Sequence, residues 1–149
     1  MKLSFTLFGE PIARARHRVA NGRMYNPQSA EDAGHIWEIR RQLKEQTHEG
    51  FRPIDKNTPL AFEMQAYFAR PKYHYGTGRN EGKLKTSAPE YPHLNSKDFD
   101  NIVKRVCDLM NAIVYIDDRQ IVNADNIRLR YALYETDPRT VFTITTIEE

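Results

Sequence analysis

The stretch DFDNIVKRVCDLMNAIVYIDD, residues 98–118, decides the fold because it carries the clearest helical pattern in the chain. Its apolar residues recur at spacings of three and four, which is typical of one buried face of a helix. They are Phe99, Ile102, Val103, Val106, Cys107 and Met110. This pattern predicts an amphipathic helix from about Asp98 to Asn111. The run AIVYI that follows predicts a short buried strand.

Carboxylates stand at both ends of this stretch, with Asp98 and Asp100 at its start and Asp117 and Asp118 at its close. Like charges held close together cost free energy unless a cation neutralises them. Asp98 can converge with Asp100 if it lies before the first helical turn. Adjacent strand residues point to opposite faces, so only one of Asp117 and Asp118 can join them. Such a cluster suits Mg²⁺, which prefers oxygen ligands, with Mn²⁺ able to substitute.

Lys104 stands one helical turn after Asp100, on the face of the helix away from the core. Its ammonium group could neutralise charge on a phosphoryl oxygen. A structural explanation is also open: Asp favours helix N-termini, Asp100 and Lys104 form an ordinary i,i+4 pair, and Asp117 and Asp118 could form a turn. Together with the basic segments of the chain, these features favour metal-dependent phosphate chemistry.

The other periodicities predict an α+β fold: one small domain over residues 1–149, with a mixed sheet packed against two main helices. Alternating apolar residues predict strands over 3–7 and 59–69 and two more near the C-terminus. Ser29 and Asp32 predict the start of a helix that runs to about Gln46, with Trp37 in the core. A basic loop rich in Gly and Pro is predicted over about 70–96.

Two basic segments lie within a chain whose formal net charge is only +2. The first contains Arg14, Arg16, Arg18 and Arg23, and the second contains Arg70, Lys72, Lys83 and Lys85. Clustered cations of this kind are predicted to bind the phosphates of DNA. On charge alone, a pair of solvated loops explains them equally well.

Several classes of protein are excluded or disfavoured by what the sequence lacks. No apolar run is long enough to span a bilayer, and no signal-peptide pattern begins the chain. The single cysteine, Cys107, fits a reducing cytoplasm and excludes a multi-cysteine zinc site. The absence of a G-x-x-x-x-G-K-[ST] loop predicts that no nucleotide cofactor is used.

The stretch DFDNIVKRVCDLMN…VYIDDRQIV resembles the signature of the RusA family of Holliday-junction resolvases. In that family a D-x-D-N-x-x-K run is followed by a helix and then by an Asp-Asp-x-Gln motif. The upstream stretches GEPIARARHR and GRMYNP resemble the family's N-terminal pattern, so the resemblance extends from about Phe8 to Val122. The chain departs from compact members in a longer basic insertion over residues 73–93.

The resemblance implies a Mg²⁺-dependent endonuclease that cuts four-way DNA junctions as a homodimer in recombination and repair. It implies that Asp98, Asp100 and Asp118 are metal-binding catalytic carboxylates and that Lys104 is the catalytic lysine, with Asp117 ranked lower. Two alternatives remain open: a catalytically silent protein that binds branched DNA, and a nuclease that prefers flaps or forks. Cleavage of matched substrates with and without Mg²⁺ separates them.

Overall fold

The computed structural model describes residues 1–92, 98–133 and 137–149, so positions 93–96 of the predicted basic loop lie outside the described residues. The α-helices are α1 (Ser29–Gln46) and α2 (Phe99–Met110), and one of the short 3-10 turns spans Asp118–Gln120. The strands are β1 (Lys2–Phe8), β2 (Arg18–Ala20), β3 (Arg23–Tyr25), β4 (Leu60–Phe68), β5 (Ile121–Tyr131) and β6 (Arg139–Thr146). Within these ranges no helix has the length and apolar character needed to cross a membrane. The predicted α+β class is confirmed.

Four strands form a mixed sheet in the order β1-β6-β4-β5. Strands β4 and β5 run parallel, whereas the other neighbours are antiparallel. Alternate residues of β4, from Leu60 to Phe68, are buried, because successive side chains of a strand point to opposite faces. They join one core with Ile39 and Leu43 of α1 and with Val106 of α2. The predicted packing of two helices on one mixed sheet is therefore confirmed.

The outer edge of β1 is closed by two glutamines that lie one turn apart on α1. Gln42 accepts a hydrogen bond from the Thr6 N–H at 2.8 Å and donates to the Thr6 carbonyl at 2.7 Å. Gln46 repeats both bonds with Ser4, at 2.8 and 2.7 Å. The two side-chain amides thus occupy the backbone groups that a further strand would use, and this edge is protected from pairing with another chain.

A buried ion network joins the two helices to the basic segment after β1. The Asp32 carboxylate of α1 accepts a hydrogen bond from Arg14 at 2.7 Å and one from Arg105 of α2 at 3.1 Å. Asn26 donates a third at 2.9 Å. Arg105 is only 2% exposed, and it also contacts His35 at 2.9 Å, whose pKa is lowered chiefly by burial. Because a buried charge needs a partner, Asp32 fixes how α1 and α2 pack.

Two expectations from the sequence are wrong. Trp37 is 63% exposed, because it lies two positions before buried Ile39 and hence about 200° away around α1. The run AIVYI is buried at Ile113, Val114 and Tyr115 but does not form a strand. Its chain turns at Ala112, which has a φ of 63°, and Tyr115 makes only isolated bridges.

Replacing Asp32 with Asn is expected to lower the free energy of unfolding by about 3 kcal/mol, because two partly or fully buried guanidinium groups lose their counterion. Urea denaturation measures this change. Glu31→Gln is the matched control, since Glu31 is the exposed neighbour in the same helical turn and should change stability by no more than about 0.5 kcal/mol. Equal effects of the two substitutions would contradict the assignment of Asp32 as the structural anchor.

Candidate active site

Asp98 is the N-cap residue of α2 and has a non-helical conformation, with φ −99° and ψ 82°, but its side chain does not bond the helix N-terminus. This is the placement that lets it approach Asp100, and the two carboxylates interact. Asn101 donates a hydrogen bond from Nδ2 to Asp98 Oδ2 at 2.8 Å. That bond lowers the pKa of Asp98, so the exposed carboxylate is held in its ionised form.

Asp100, Lys104 and Asp118 line one shallow groove between α2 and the start of β5. Ile121 and Ala124 of β5 form part of its other wall. Burial raises the pKa of Asp118, and the nearby carboxylates of Asp117 and Asp108 raise it further. A cation in this groove would relieve that repulsion.

Asp117 is directed into the turn that follows it. Its carboxylate accepts hydrogen bonds from the Arg119 backbone N–H at 2.9 Å and from the Arg119 guanidinium at 3.0 Å. These bonds lower the pKa of Asp117 to about 2. Gln120 accepts from the Asp117 N–H at 3.0 Å and donates to the Asp55 carbonyl at 2.8 Å. In the Asp-Asp-x-Gln motif, the first Asp and the Gln therefore hold the turn, while the second Asp faces the groove.

A second groove adjoins the first, and Lys104 borders both. Arg16, His17 and Asn101 are among its lining residues. The Arg14 backbone N–H donates to the Asn101 carbonyl at 2.9 Å, so the basic segment is fastened to the first turn of α2. A phosphate backbone lying across Lys104 would pass from a basic groove into an acidic one.

A family model described as "Endodeoxyribonuclease RusA" matches residues 9–145. The chain belongs to the RusA family. Members of the RusA family are endonucleases that act on branched DNA junctions, and membership implies Holliday-junction resolvase activity. The chain is also 29% identical over 126 residues to the "Uncharacterized protein YqaN" of Bacillus subtilis (strain 168), covering 81% of this chain and 82% of that protein. The resemblance seen in the sequence is thus confirmed at the level of the family.

Two of the eight cations predicted to bind DNA have side chains that are largely or fully buried. Arg14 is held by Asp32 and Gln28, with a side chain that is 13% exposed. Arg70 is 7% exposed and donates to the Ala132 carbonyl at 2.9 Å and the Pro89 carbonyl at 2.7 Å. These contacts occupy donors of both arginines within the fold, while Arg14 also lines the second groove, and their contacts with phosphate stay a prediction. The exposed members of the set are Arg16, Arg18, Arg23, Lys72, Lys83 and Lys85.

The RusA family resemblance implies Mg²⁺, and the acidic groove can be tested against that ion's requirements. In the described ranges no three acidic, histidine or cysteine side chains converge to enclose a metal ion. The site offers the neighbouring carboxylates of Asp98 and Asp100, with Asp118 in the same groove as Asp100. Mg²⁺ commonly uses one or two carboxylates and takes its other oxygens from water and substrate phosphate. The donor set therefore fits a largely hydrated Mg²⁺.

Sequence reasoning missed the residues that hold the site together, chiefly Asp32 and Arg105. Their contact joins positions 73 residues apart in the chain, and no local pattern marks it. Asn101 could have been found, because it is the Asn of the D-x-D-N run and bonds the preceding Asp98.

Asp117 and Asp118 are expected to change stability in opposite directions when each is replaced by Asn in metal-free buffer at pH 7.5. The folded-state pKa of Asp118 is raised, so its ionised form opposes folding and Asp118→Asn should raise the melting temperature. The pKa of Asp117 is lowered, so its charge stabilises the fold above its unfolded-state pKa of about 3.8, and Asp117→Asn should lower the melting temperature. Thermal denaturation in EDTA measures both, and shifts of the same sign would contradict these environments.

Proposed function

We propose that this protein is a Mg²⁺-dependent, structure-selective endonuclease of the cytoplasm that resolves Holliday junctions by paired phosphodiester hydrolysis in DNA recombination and repair. The observation that carries the proposal is that Asp100, Lys104 and Asp118 line one groove beside a second, basic groove. Membership of the RusA family supplies the reaction class.

The residues of the candidate site divide into three roles in this proposal: metal binding, phosphate contact and positioning. Asp98, Asp100 and Asp118 would hold Mg²⁺, which when bound makes water a better nucleophile and stabilises the leaving oxygen. Lys104 is exposed at the junction of the two grooves, where its ammonium group can contact a non-bridging phosphate oxygen. The Asn101 side chain orients Asp98, and the Asp117 turn presents Asp118.

The exposed cations of the two basic segments would position the DNA. Backbone phosphate contacts fix the register of a nucleic acid without reading its sequence, which suits an enzyme that selects a branched shape. Such contacts also predict an affinity that falls steeply with salt.

A homodimer is part of the proposal, because a four-way junction has two-fold symmetry and paired cuts need two sites. One feature of the sheet supports it. The β1 edge is closed by Gln42 and Gln46. Among the described residues, the outer edge of the opposite strand, β5, is bonded from outside the sheet only at its last residue, where the Tyr131 N–H donates to the Glu90 carbonyl at 2.9 Å. An open edge can pair with a second chain. Sedimentation equilibrium should give the mass of two chains.

Cleavage of a labelled synthetic four-way junction is the test of the proposed function. We expect Mg²⁺ to support symmetric nicking of the junction and not of a linear duplex of the same sequence, and EDTA to abolish it. Asp100→Asn should remove activity, and Lys104→Ala should lower the single-turnover rate by about 100-fold or more while junction binding persists.

Each other result points to an alternative. Tight junction binding without cleavage under any divalent ion would identify a catalytically silent DNA-binding protein. Faster cutting of flaps or forks than of the junction would identify a nuclease with a different substrate. Unchanged cleavage by Asp100→Asn would contradict the site itself.

The salt dependence of junction binding is expected to separate exposed arginines from buried ones. Arg18→Ala should lower the slope of log affinity against log salt concentration by about 0.9, because one phosphate contact is lost. Arg70→Gln removes the same charge from a buried position, so it should leave the slope unchanged and lower the melting temperature instead. Fluorescence anisotropy at several salt concentrations measures the slopes. Equal loss of slope in both variants would contradict the placement of Arg70.

A further inference from the structure

The hairpin formed by β2 and β3 stands apart from the core. Its turn, Asn21-Gly22, has positive φ at both positions, 52° and 73°, which suits the twist of a tight two-residue hairpin. Every residue of both strands is exposed. A two-stranded ribbon without a buried face is only marginally stable alone. Since none of its side chains is buried, packing within this protein does not explain why apolar residues occur in the hairpin.

The two faces of this hairpin differ in chemistry. Val19 pairs with Met24, and directly opposed residues of an antiparallel pair share one face. Neighbouring positions alternate, so Arg18 and Arg23 lie on the other face, with Tyr25. Val19 is 68% exposed and Met24 is 72% exposed. One face is therefore apolar, and the other is basic and aromatic.

Both ends of the hairpin are fastened beside the candidate active site. Before it, the Ala15 N–H donates to Gln28 Oε1 at 3.1 Å, and the Arg14 N–H donates to the Asn101 carbonyl at 2.9 Å. After it, Asn26 donates to Asp32 at 2.9 Å. The residues Arg16, His17 and Asn26 at its base also line the groove that Lys104 borders. The hairpin thus rises from the rim of the site.

We infer that the apolar face of the hairpin, formed by Val19 and Met24, packs against unstacked bases at the branch point of the DNA, while Arg18 and Arg23 hold the flanking phosphates. The inference rests on the proposed function and names the element that reads the branch. It assigns to Val19 and Met24 a role in binding the bases of the branch point, and no part in the chemistry of the acidic groove.

Charge and shape both favour DNA as the occupant of this hairpin. No acidic residue occurs between Glu10 and Glu31, whereas the same span contains four arginines. A two-stranded ribbon is narrow enough to enter a DNA groove, and apolar side chains such as Met can wedge between base steps. Opening a stacked duplex costs a few kcal/mol per step, so a wedge is accommodated most readily where stacking is already interrupted.

Fluorescence of 2-aminopurine placed at the branch point tests the inference, with all variants made in the Asp100→Asn background so that the junction stays intact. Binding should raise the fluorescence, because the base loses its stacking partner. Val19→Ser combined with Met24→Ser should remove most of that rise while phosphate-driven binding to linear duplex persists. Leu133→Ser is the matched control, since Leu133 is 64% exposed and lies outside the hairpin, and it should leave the rise unchanged.

The outcomes separate this inference from the proposed function. If the protein with Asp100 intact neither binds nor cuts junctions, the proposed function fails. If it cuts junctions and the Val19→Ser/Met24→Ser variant gives the same fluorescence rise as Leu133→Ser, only the role of the hairpin is overturned. A change of that variant from dimer to monomer in sedimentation would also overturn it, because the apolar face would then belong to a protein interface. Equal melting temperatures of the two variants verify that the fold is intact.

Discussion

The Asp32 carboxylate accepts hydrogen bonds from Arg14 and Arg105, and the geometry of the candidate site depends on these contacts. Arg105 is buried on α2 and needs a counterion, which α1 provides through Asp32. Breaking a buried pair on one side leaves an uncompensated charge, so the helices have little freedom to change their relative position. Arg14 extends the same constraint to the basic segment, whose backbone also bonds α2 at Asn101.

This constraint accounts for how two chemically opposite grooves come to share Lys104. The start of α2 carries Asp98 and Asp100, and the fastened basic segment lies beside that same turn. Asp118 lies on a different segment, the turn before β5. Asp117 and Gln120 stabilise this turn, and Gln120 bonds it to residues 54–58. The raised pKa of Asp118 indicates that its ionised form is unfavourable in the folded protein. Such a cost is expected where a carboxylate is kept for function and not for stability.

The sequence predicts features that depend on local pattern. The apolar period predicts α2, and the same period places Asp100 and Lys104 on its outer face, as the structure finds. The Asp98 conformation follows from its position just before that helix. The sequence cannot predict contacts between distant segments, and the contacts that Arg14 and Arg70 make within the fold are of this kind. Charge alone does not reveal burial, because the sequence does not show which residues surround an arginine in the folded protein.

Trp37 and the run AIVYI show a second limit, since apolar character does not fix orientation or backbone conformation. Trp37 falls opposite Ile39 on α1. The run AIVYI begins with the left-handed residue Ala112, and a turn over residues 112–114 takes the place of the expected strand. In both places tertiary packing overrides the local preference, as is common for short apolar segments.

The central claim is that Asp100 and Asp118 act as one unit on the same phosphate. Single-turnover junction cleavage by Asp100→Asn, Asp118→Asn and the double variant tests it most directly. Residues that act together lose their effect together, so the double variant should be no slower than the slower single variant. A double variant whose rate falls by the product of the two single effects would show independent roles and would contradict a shared site.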